Sequence, residues 1–329
     1  MPTAHPRPFA DLLPERVLDA VESLGFPCDG RVLALNSYEN RVYRVGLEDA
    51  AALVAKFYRP SRWSDAGILE EHGFAAELAA AELPVVAPVD VAGATLHRHG
   101  GYRFALYPLR GGHAPEPGDR DTLRYLGRVL GRLHAVGAVR RFQHRPALTV
   151  DRYGRDPVAV LLAGDWLPPH LVESFRSIAA AVLVAVQARF AQAGAVTTLR
   201  LHGDCHAGNL LWREDAVHIV DLDDAMTGPA MQDLWMFLSG SREDMRSQLD
   251  WLLEGYSMFR DFDLRELHLI EALRGLRLLH YNGWIAQRWD DPAFPAAFPW
   301  FGEPRWFESL IGQLQEQLSA LQEPALDPP

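Results

Sequence analysis

The chain has 329 residues, 48% of them hydrophobic, which is enough apolar material for one large domain or two lobes and excludes disorder of the whole. A formal net charge of −11 argues against a nucleic-acid backbone as the main partner, because such binding is built on excess Lys and Arg. Cys28 and Cys205 are too few for a disulfide framework, the N-terminal MPTAHPRPFADLLPERV lacks the apolar run of a signal peptide, and the window SIAAAVLVAVQARFA is shorter than a membrane span. These features lead us to expect a cytoplasmic monomer with neither membrane nor nucleic acid as partner.

In chain order, residues 14–24 carry apolar positions at helical spacing, with Pro14 at the start and Gly25 beyond the end, so a short amphipathic helix is expected. Residues 31–35, 41–47 and 51–58 are β-prone and separated by turn formers, which predicts an antiparallel meander. Residues 64–81 read as a helix capped by Ser64. Gly100 and Gly101 then separate two strand candidates, the second over 102–108. A Gly/Pro-rich connector, GGHAPEPGD, follows. Beyond it the periodicity is helical over 119–136, 170–193, 230–238, 243–259, 264–288 and 305–321, interrupted by short strands within 199–219 and by the aromatic insert DPAFPAAFPWFGEP. The expected fold class is α+β, with a small antiparallel-sheet lobe over 1–108, a larger mainly helical lobe over 109–329, and a hinge near 107–112.

The strand island holds LHGDCHAGNLLW, which places His202, Asp204, Cys205, His206 and Asn209 within a few residues. A structural zinc site normally takes four ligands, and no second Cys or His pair of suitable spacing lies nearby. In a cysteine hydrolase the fold, rather than adjacency, brings nucleophile and base together, so Cys205 reads as a small filler of a tight loop. Phosphoryl transfer accounts for more of the pattern. It needs a carboxylate to orient and deprotonate an attacking hydroxyl, and oxygen ligands for Mg²⁺ on the nucleotide phosphates. Asp204 suits the first role. Asn209, five residues on, and Asp221, which HIVDLDD places at the end of a β-prone apolar run beyond a turn at Glu214 and Asp215, suit the second.

Such chemistry also requires a lysine on a strand of the small lobe, held by a helical glutamate against the α- and β-phosphates. VAKFY supplies Lys56, for which an ordinary exposed strand lysine is the alternative. Of Glu70 and Glu71 in the next helix, Glu71 lies seven residues before Leu78 on the apolar face and is preferred. Asp233, in QDLW, either accepts backbone N–H groups from the His202–Gly203 turn or simply complements a helix N-terminus. For Asp223 the sequence leaves open a second Mg²⁺ contact or a solvated turn.

Together Lys56, Glu71, HGDCHAGN and DLDD resemble the aminoglycoside phosphotransferase and choline kinase branch of the protein-kinase-like fold. More closely, LNSYENRVY, KFYRP, LEEH, LHGDCHAGNLLW, VDLDDA, GPAMQDLWM and DPAFP are similar to the bacterial stress response kinase A family, over nearly the whole chain. The resemblance implies a bilobal protein-kinase-like fold and an ATP- and Mg²⁺-dependent serine/threonine protein kinase of the stress response, with a protein acceptor. It also implies that Ser37 caps the phosphates, for which an ordinary polar hairpin turn is the alternative. Adenine is then expected against the hinge at Tyr107 to Leu109. A kinase of small hydroxylated metabolites and a nucleotide-binding pseudokinase are the other readings.

This sequence departs from the eukaryotic kinase pattern in three places. No Gly-rich loop separates the first two strands, Gly203 replaces the arginine before the expected catalytic aspartate, and no long activation segment fits after Asp221. Acceptor recognition is expected farther along the chain. Arg274, Arg277, Tyr281, Trp284 and Arg288 share one helical stripe, which either meets substrate or forms a solvent-facing edge paired with acidic residues.

Overall fold

Val42, Tyr43 and Val45 in 41–47 and Tyr102, Phe104 and Tyr107 in 102–108 are strand formers, and in the computed structural model, which describes residues 8–116, 118–213 and 216–327, both stretches become strands. The order begins with α1 (Pro14–Glu22), β1 (Cys28–Ala34), β2 (Arg41–Leu47), β3 (Leu53–Phe57), α2 (Asp65–Ala80), β4 (His97–His99) and β5 (Tyr102–Pro108). It continues with α3 (Arg120–Gly137), α4 (Asp156–Ala163), α5 (Val172–Ala193), β6 (Thr198–Leu201), β7 (Leu210–Arg213), β8 (Ala216–Ile219) and β9 (Met226–Pro229). It ends with α6 (Met231–Leu234), α7 (Arg242–Tyr256), α8 (Ile270–Gln287), α9 (Ala293–Ala297) and α10 (Pro304–Gln322). The expected turn at Glu214 and Asp215 lies outside the described residues.

The chain divides into two compact units. The first contains the described residues up to Pro115, with Phe142–Arg145 and Ala207–Ala225; the second contains Glu116–Arg141, Pro146–His206 and the described residues from Met226 onward. In the first unit five antiparallel strands run in the order β1-β2-β3-β5-β4. One sheet face packs on α1 through Val17, Val21, Val45, Phe57 and Phe104. Helix α2 is capped by Ser64, whose hydroxyl accepts the Gly67 N–H. Its buried stripe of Ile68, Glu71, Ala75 and Leu78 has the helical period. Residues 207–225 join this unit through backbone bonds between strand β8 and the segment after α2: Val86 N–H donates to Ile219 O and Ile219 N–H to Pro84 O.

The second unit is mainly helical. α3 and α7 approach backbone to backbone: a Cβ at Gly127 would lie 2.0 Å from Leu252 O, and one at Gly255 2.0 Å from Arg124 O. α5, at 22 residues, is long and apolar enough to span a membrane by length and composition; it packs on α8 and α10 and buries Arg189, which donates to Leu321 O and Glu323 O. The ribbon β6-β9 pairs Leu201 with Met226, immediately before the His202 turn.

Among the described residues several elements differ from the sequence expectation, including α9, a short helix inside the aromatic insert. α4 is apolar on every side and so shows no amphipathic period, and β9 is defined by its distant partner β6 rather than by alternation. The expected helix over 230–238 is only the single turn α6 followed by a 3-10 turn over 235–237.

Candidate active site

In the first unit, the sheet register sets Lys56 opposite Val42 and Ala105, and Val54 opposite Tyr107, so these side chains share the sheet face away from α1. Hairpin β7-β8 pairs Leu210 with Ile219, and Val220 N–H donates to Asn209 O at 3.0 Å. Asn209 and Asp221 thus stand at the same open end of the hairpin, although twelve residues separate them in sequence. Asp221 adopts φ 59°, ψ 65°, a left-handed conformation that is costly for a non-glycine residue and recurs at functional sites. These elements enclose a cleft of about 320 Å³. Val42, Val54, Val86 and Leu211 give it apolar walls; Lys56, Glu71, Asn209, Asp221 and Ser37 supply polar groups; Tyr107, Pro108 and Leu109 form its edge.

Lys56 is buried, and its Nζ lies 2.8 Å from Asp221 Oδ1 and 3.4 Å from Asp223 Oδ1. Burial alone would push its ammonium pKa down, but the carboxylates of Asp221 and Asp223 hold it well above the ordinary lysine value. Glu71 also lines the cleft, but its Oε2 has no hydrogen-bond partner, and among the described residues no Lys56–Glu71 ion pair is made. The expected clamp is therefore replaced by Lys56–Asp221. The physical reason is that Asp221 and Asp223 both stand within reach of the ammonium, at 2.8 and 3.4 Å; Glu71 is left buried, which raises its carboxyl to about 7 against the lowering effect of Lys56. Glu70, the rejected alternative, accepts the backbone N–H groups of Gln143, His144 and Arg145.

Asp223 is neither solvated nor at the cleft surface. It is 2% exposed and accepts from Asn40 Nδ2 at 3.0 Å and from Arg62, while Arg145 donates to its backbone oxygen. Burial would raise its pKa, but Lys56, Arg62 and Arg145 keep it well below the carboxylate range. Asn40 Oδ1 also accepts the Arg59 N–H, and Ser37 Oγ donates to Asn40 O, so the loop of Asn36 to Asn40 is anchored by its last residue. Behind the cleft, Tyr107 Oη lies 2.9 Å from Tyr58 Oη, which lies 2.7 Å from His72 Nε2.

The second unit holds the His202–Asp204 turn. The buried Asp233 carboxylate accepts the N–H groups of His202 and Gly203, each at 2.8 Å, and lies 3.1 Å from His134 Nε2, whose other ring nitrogen is 3.0 Å from Tyr256 Oη. This is the backbone-accepting role anticipated for Asp233. Gly203 has φ 89°, a conformation that disfavours an arginine at that position. Arg277 of α8 donates to Asp204 Oδ1 at 2.6 Å, and His206 Nε2 lies 3.5 Å from Asp204 Oδ2. Against the raising effect of burial, His206 and Arg277 keep the Asp204 carboxyl well below its ordinary pKa. Cys205 is fully buried and its thiol is pushed well up by that burial, which matches the filler reading.

Known proteins are similar to this chain over most of its length. The profile of the phosphotransferase enzyme family matches residues 31–270. The chain is 44% identical to stress response kinase A of Escherichia coli O157:H7, over 97% of this chain and 96% of that one. It belongs to this family of phosphotransferases. Within the family, it is also 43% identical to a protein of Salmonella typhimurium (strain LT2) named serine/threonine protein kinase RdoA, over 97% and 96% of the two chains. The fold is that of a solved amicoumacin kinase, with a TM-score of 0.68 at 16% identity over 89% of this chain and 92% of that one. The chain is thus a phosphotransferase of the stress response kinase group, with the kinase-like fold expected from its sequence.

The site residues that sequence reasoning missed are Asn40, Arg62 and Arg145 around Asp223, and His134 and Tyr256 behind Asp233. Their partners lie 78 to 183 residues away in the first set, and 99 and 122 residues separate His134 from Asp233 and Tyr256. No local pattern records such distances.

Proposed function

We propose that this phosphotransferase is an ATP- and Mg²⁺-dependent serine/threonine protein kinase of the bacterial stress response, acting in the cytoplasm. The observation that carries the nucleotide reading is the single cleft lined by Lys56, Asn209 and Asp221, with apolar walls suited to a purine and polar groups suited to phosphates. The protein acceptor is supported by the name of the Salmonella relative.

The donor set fits magnesium: an Asn carbonyl and an Asp carboxylate are hard oxygen ligands, and Mg²⁺ is held by few protein groups alongside the nucleotide phosphates. Bound there, the ion supplies neutralisation of charge on the transferred phosphoryl group. Asn209 and Asp221 would hold it. Lys56 pairs with the α- and β-phosphates, exchanging the carboxylates it now contacts for phosphate oxygens, while Ser37 caps the phosphates and Tyr107 and Leu109 border the base. Asp204 orients the acceptor hydroxyl and receives its proton as the oxygen–phosphorus bond forms and the bond to the nucleoside diphosphate breaks. Its contribution is chiefly orientation, in keeping with a transition state that asks for positioning more than proton abstraction.

The test is transfer of labelled γ-phosphate from Mg²⁺-ATP to a generic protein substrate and, separately, to a panel of hydroxylated metabolites, by the wild type, Asp204→Ala and Asp221→Ala. Asp204→Ala should lose on the order of 10²–10⁴ in turnover while still binding nucleotide, and Asp221→Ala should bind Mg²⁺-nucleotide weakly. Label confined to a metabolite would replace the protein acceptor. Nucleotide binding with no transfer to any acceptor would make the chain a pseudokinase.

A further inference from the structure

Arg277 stands out among the cations of α8. Arg274 is committed to Glu271 at 2.9 Å and to Leu238 O at 2.6 Å. Arg277 is 42% exposed and, among the described residues, its only hydrogen-bond or ion-pair partner is Asp204. A guanidinium offers five donors in a planar fork shaped for a carboxylate or phosphate, and one contact to one oxygen leaves most of that fork open. One turn along the same helix face lies Tyr281, stacked on Trp284 with ring centroids 5.9 Å apart and planes at 24°. Asp204 itself has Oδ1 against Arg277 and Oδ2 near His206. A hydroxyl approaching Asp204 therefore meets a carboxylate already flanked by these two groups, and an acceptor carrying its own anion provides the open side of the Arg277 fork with a partner beside it.

We propose that Arg277 is the acceptor-specificity residue: it receives a carboxylate or phosphate flanking the hydroxyl to be phosphorylated, so the preferred acceptor is a serine or threonine with an adjacent acidic or phosphorylated residue. This rests on the protein-kinase reading, with Asp204 at the acceptor hydroxyl. In the absence of such an acceptor, Arg277 holds Asp204 in an ion pair. The acceptor's anion engages the donors of the guanidinium that Asp204 leaves open, which places the flanking hydroxyl beside the Asp204 carboxylate. Tyr281 and Trp284 lie farther along the same stripe, beside the peptide.

The experiment uses single-serine peptides with Asp, phosphoserine, Asn or Lys at each position within three residues of the serine. Each is assayed twice against the wild type, Arg277→Met and Arg277→Glu: for binding, by the change in tryptophan fluorescence, and for phosphotransfer, by kcat/KM. The wild type should favour the best anionic peptide over its Asn counterpart on the order of 10- to 100-fold, the range of a charge-assisted contact. In Arg277→Met that ratio should fall to about one, and Arg277→Glu should turn the preference towards Lys peptides. The Asp and phosphoserine arms decide which anion is the better occupant. A purely structural arginine would lower all peptides alike, and an acidic-to-neutral ratio that is the same in wild type and Arg277→Met overturns the proposal. If acidic peptides bind through Arg277 but none is phosphorylated, the anion subsite stands and the protein-kinase reading fails. If peptides are phosphorylated without regard to acidic neighbours, the kinase reading stands and the subsite fails; if none binds or reacts, both fail.

Discussion

Burial pushes the carboxyl of Glu71, which lies near the Lys56 ammonium, up to about 7 in the folded protein, from its ordinary value of 4.5 when unfolded. Between those values the unfolded chain has released a proton that the folded chain still holds, so rising pH favours unfolding through this group. The cost is absent below pH 4.5, grows to pH 7 and is complete above it, on the order of 3 kcal/mol for a shift of this size. Glu71→Gln removes the titration. Urea denaturation of both proteins from pH 5 to 8 should show the wild type losing stability relative to Glu71→Gln as pH rises, and two parallel profiles would refute the ionisation near neutrality. The lowered pKa of His72, pushed to about 3 chiefly by burial, is common to both proteins and cancels in the comparison. Glu71 was readable in the sequence because the 3.6-residue period of α2 puts it on the stripe of Ile68, Ala75 and Leu78. Its failure to pair with Lys56 was not readable, because that depends on Asp221 and Asp223, more than 160 residues away. Asp223 illustrates the same limit: a turn aspartate in sequence becomes a buried anchor only because Asn40, Arg62 and Arg145 converge on it.

Helices were legible as elements, but their contacts were not. α3 and α7 each follow the amphipathic period, yet what joins them is a row of glycines with no special backbone requirement. A Cβ at Gly131 would lie 2.5 Å from Tyr256 O, the backbone of the residue whose hydroxyl is 3.0 Å from His134 Nδ1. Because His134 in turn lies against Asp233, close packing of these two helices bears on the His202–Asp204 turn. Gly131→Ala must push α3 and α7 apart, and overpacking of this kind costs about 1–3 kcal/mol. Gly312, inside α10, has nothing within 4 Å of its would-be Cβ, so Gly312→Ala should be neutral or stabilising by up to about 1 kcal/mol. Denaturation midpoints and turnover measured together should show Gly131→Ala losing both and Gly312→Ala neither. Loss of stability without any loss of turnover would separate the helix contact from the turn. α4 and β9 escaped the sequence reading for related reasons: one is apolar all round, and the other is a strand only in the presence of β6.

At the scale of the whole molecule, the order of strands, helix, strands and then helices indicated the fold class, whereas the assembly of each unit from three separate stretches of chain did not follow from composition. That assembly has a thermodynamic consequence. Every described residue lining the cleft around Lys56 belongs to the first unit, including Asn209 and Asp221, which enter it through hairpin β7-β8; Asp204 belongs to the second and does not line the cleft. A ligand that binds only the folded state stabilises by mass action, about 2.7 kcal/mol at a hundredfold excess over Kd. For units of this size, that corresponds to a rise of several degrees in Tm. A non-hydrolysable ATP analogue with Mg²⁺ should therefore raise the Tm of the wild type and of Asp204→Ala alike, and leave that of Asp221→Ala nearly unchanged. Scanning calorimetry with and without the analogue measures this independently of any acceptor. A normal shift in Asp221→Ala would remove that aspartate from the metal site. A shift abolished in Asp204→Ala would mean that this residue holds nucleotide, and its assignment to the acceptor hydroxyl would have to be abandoned.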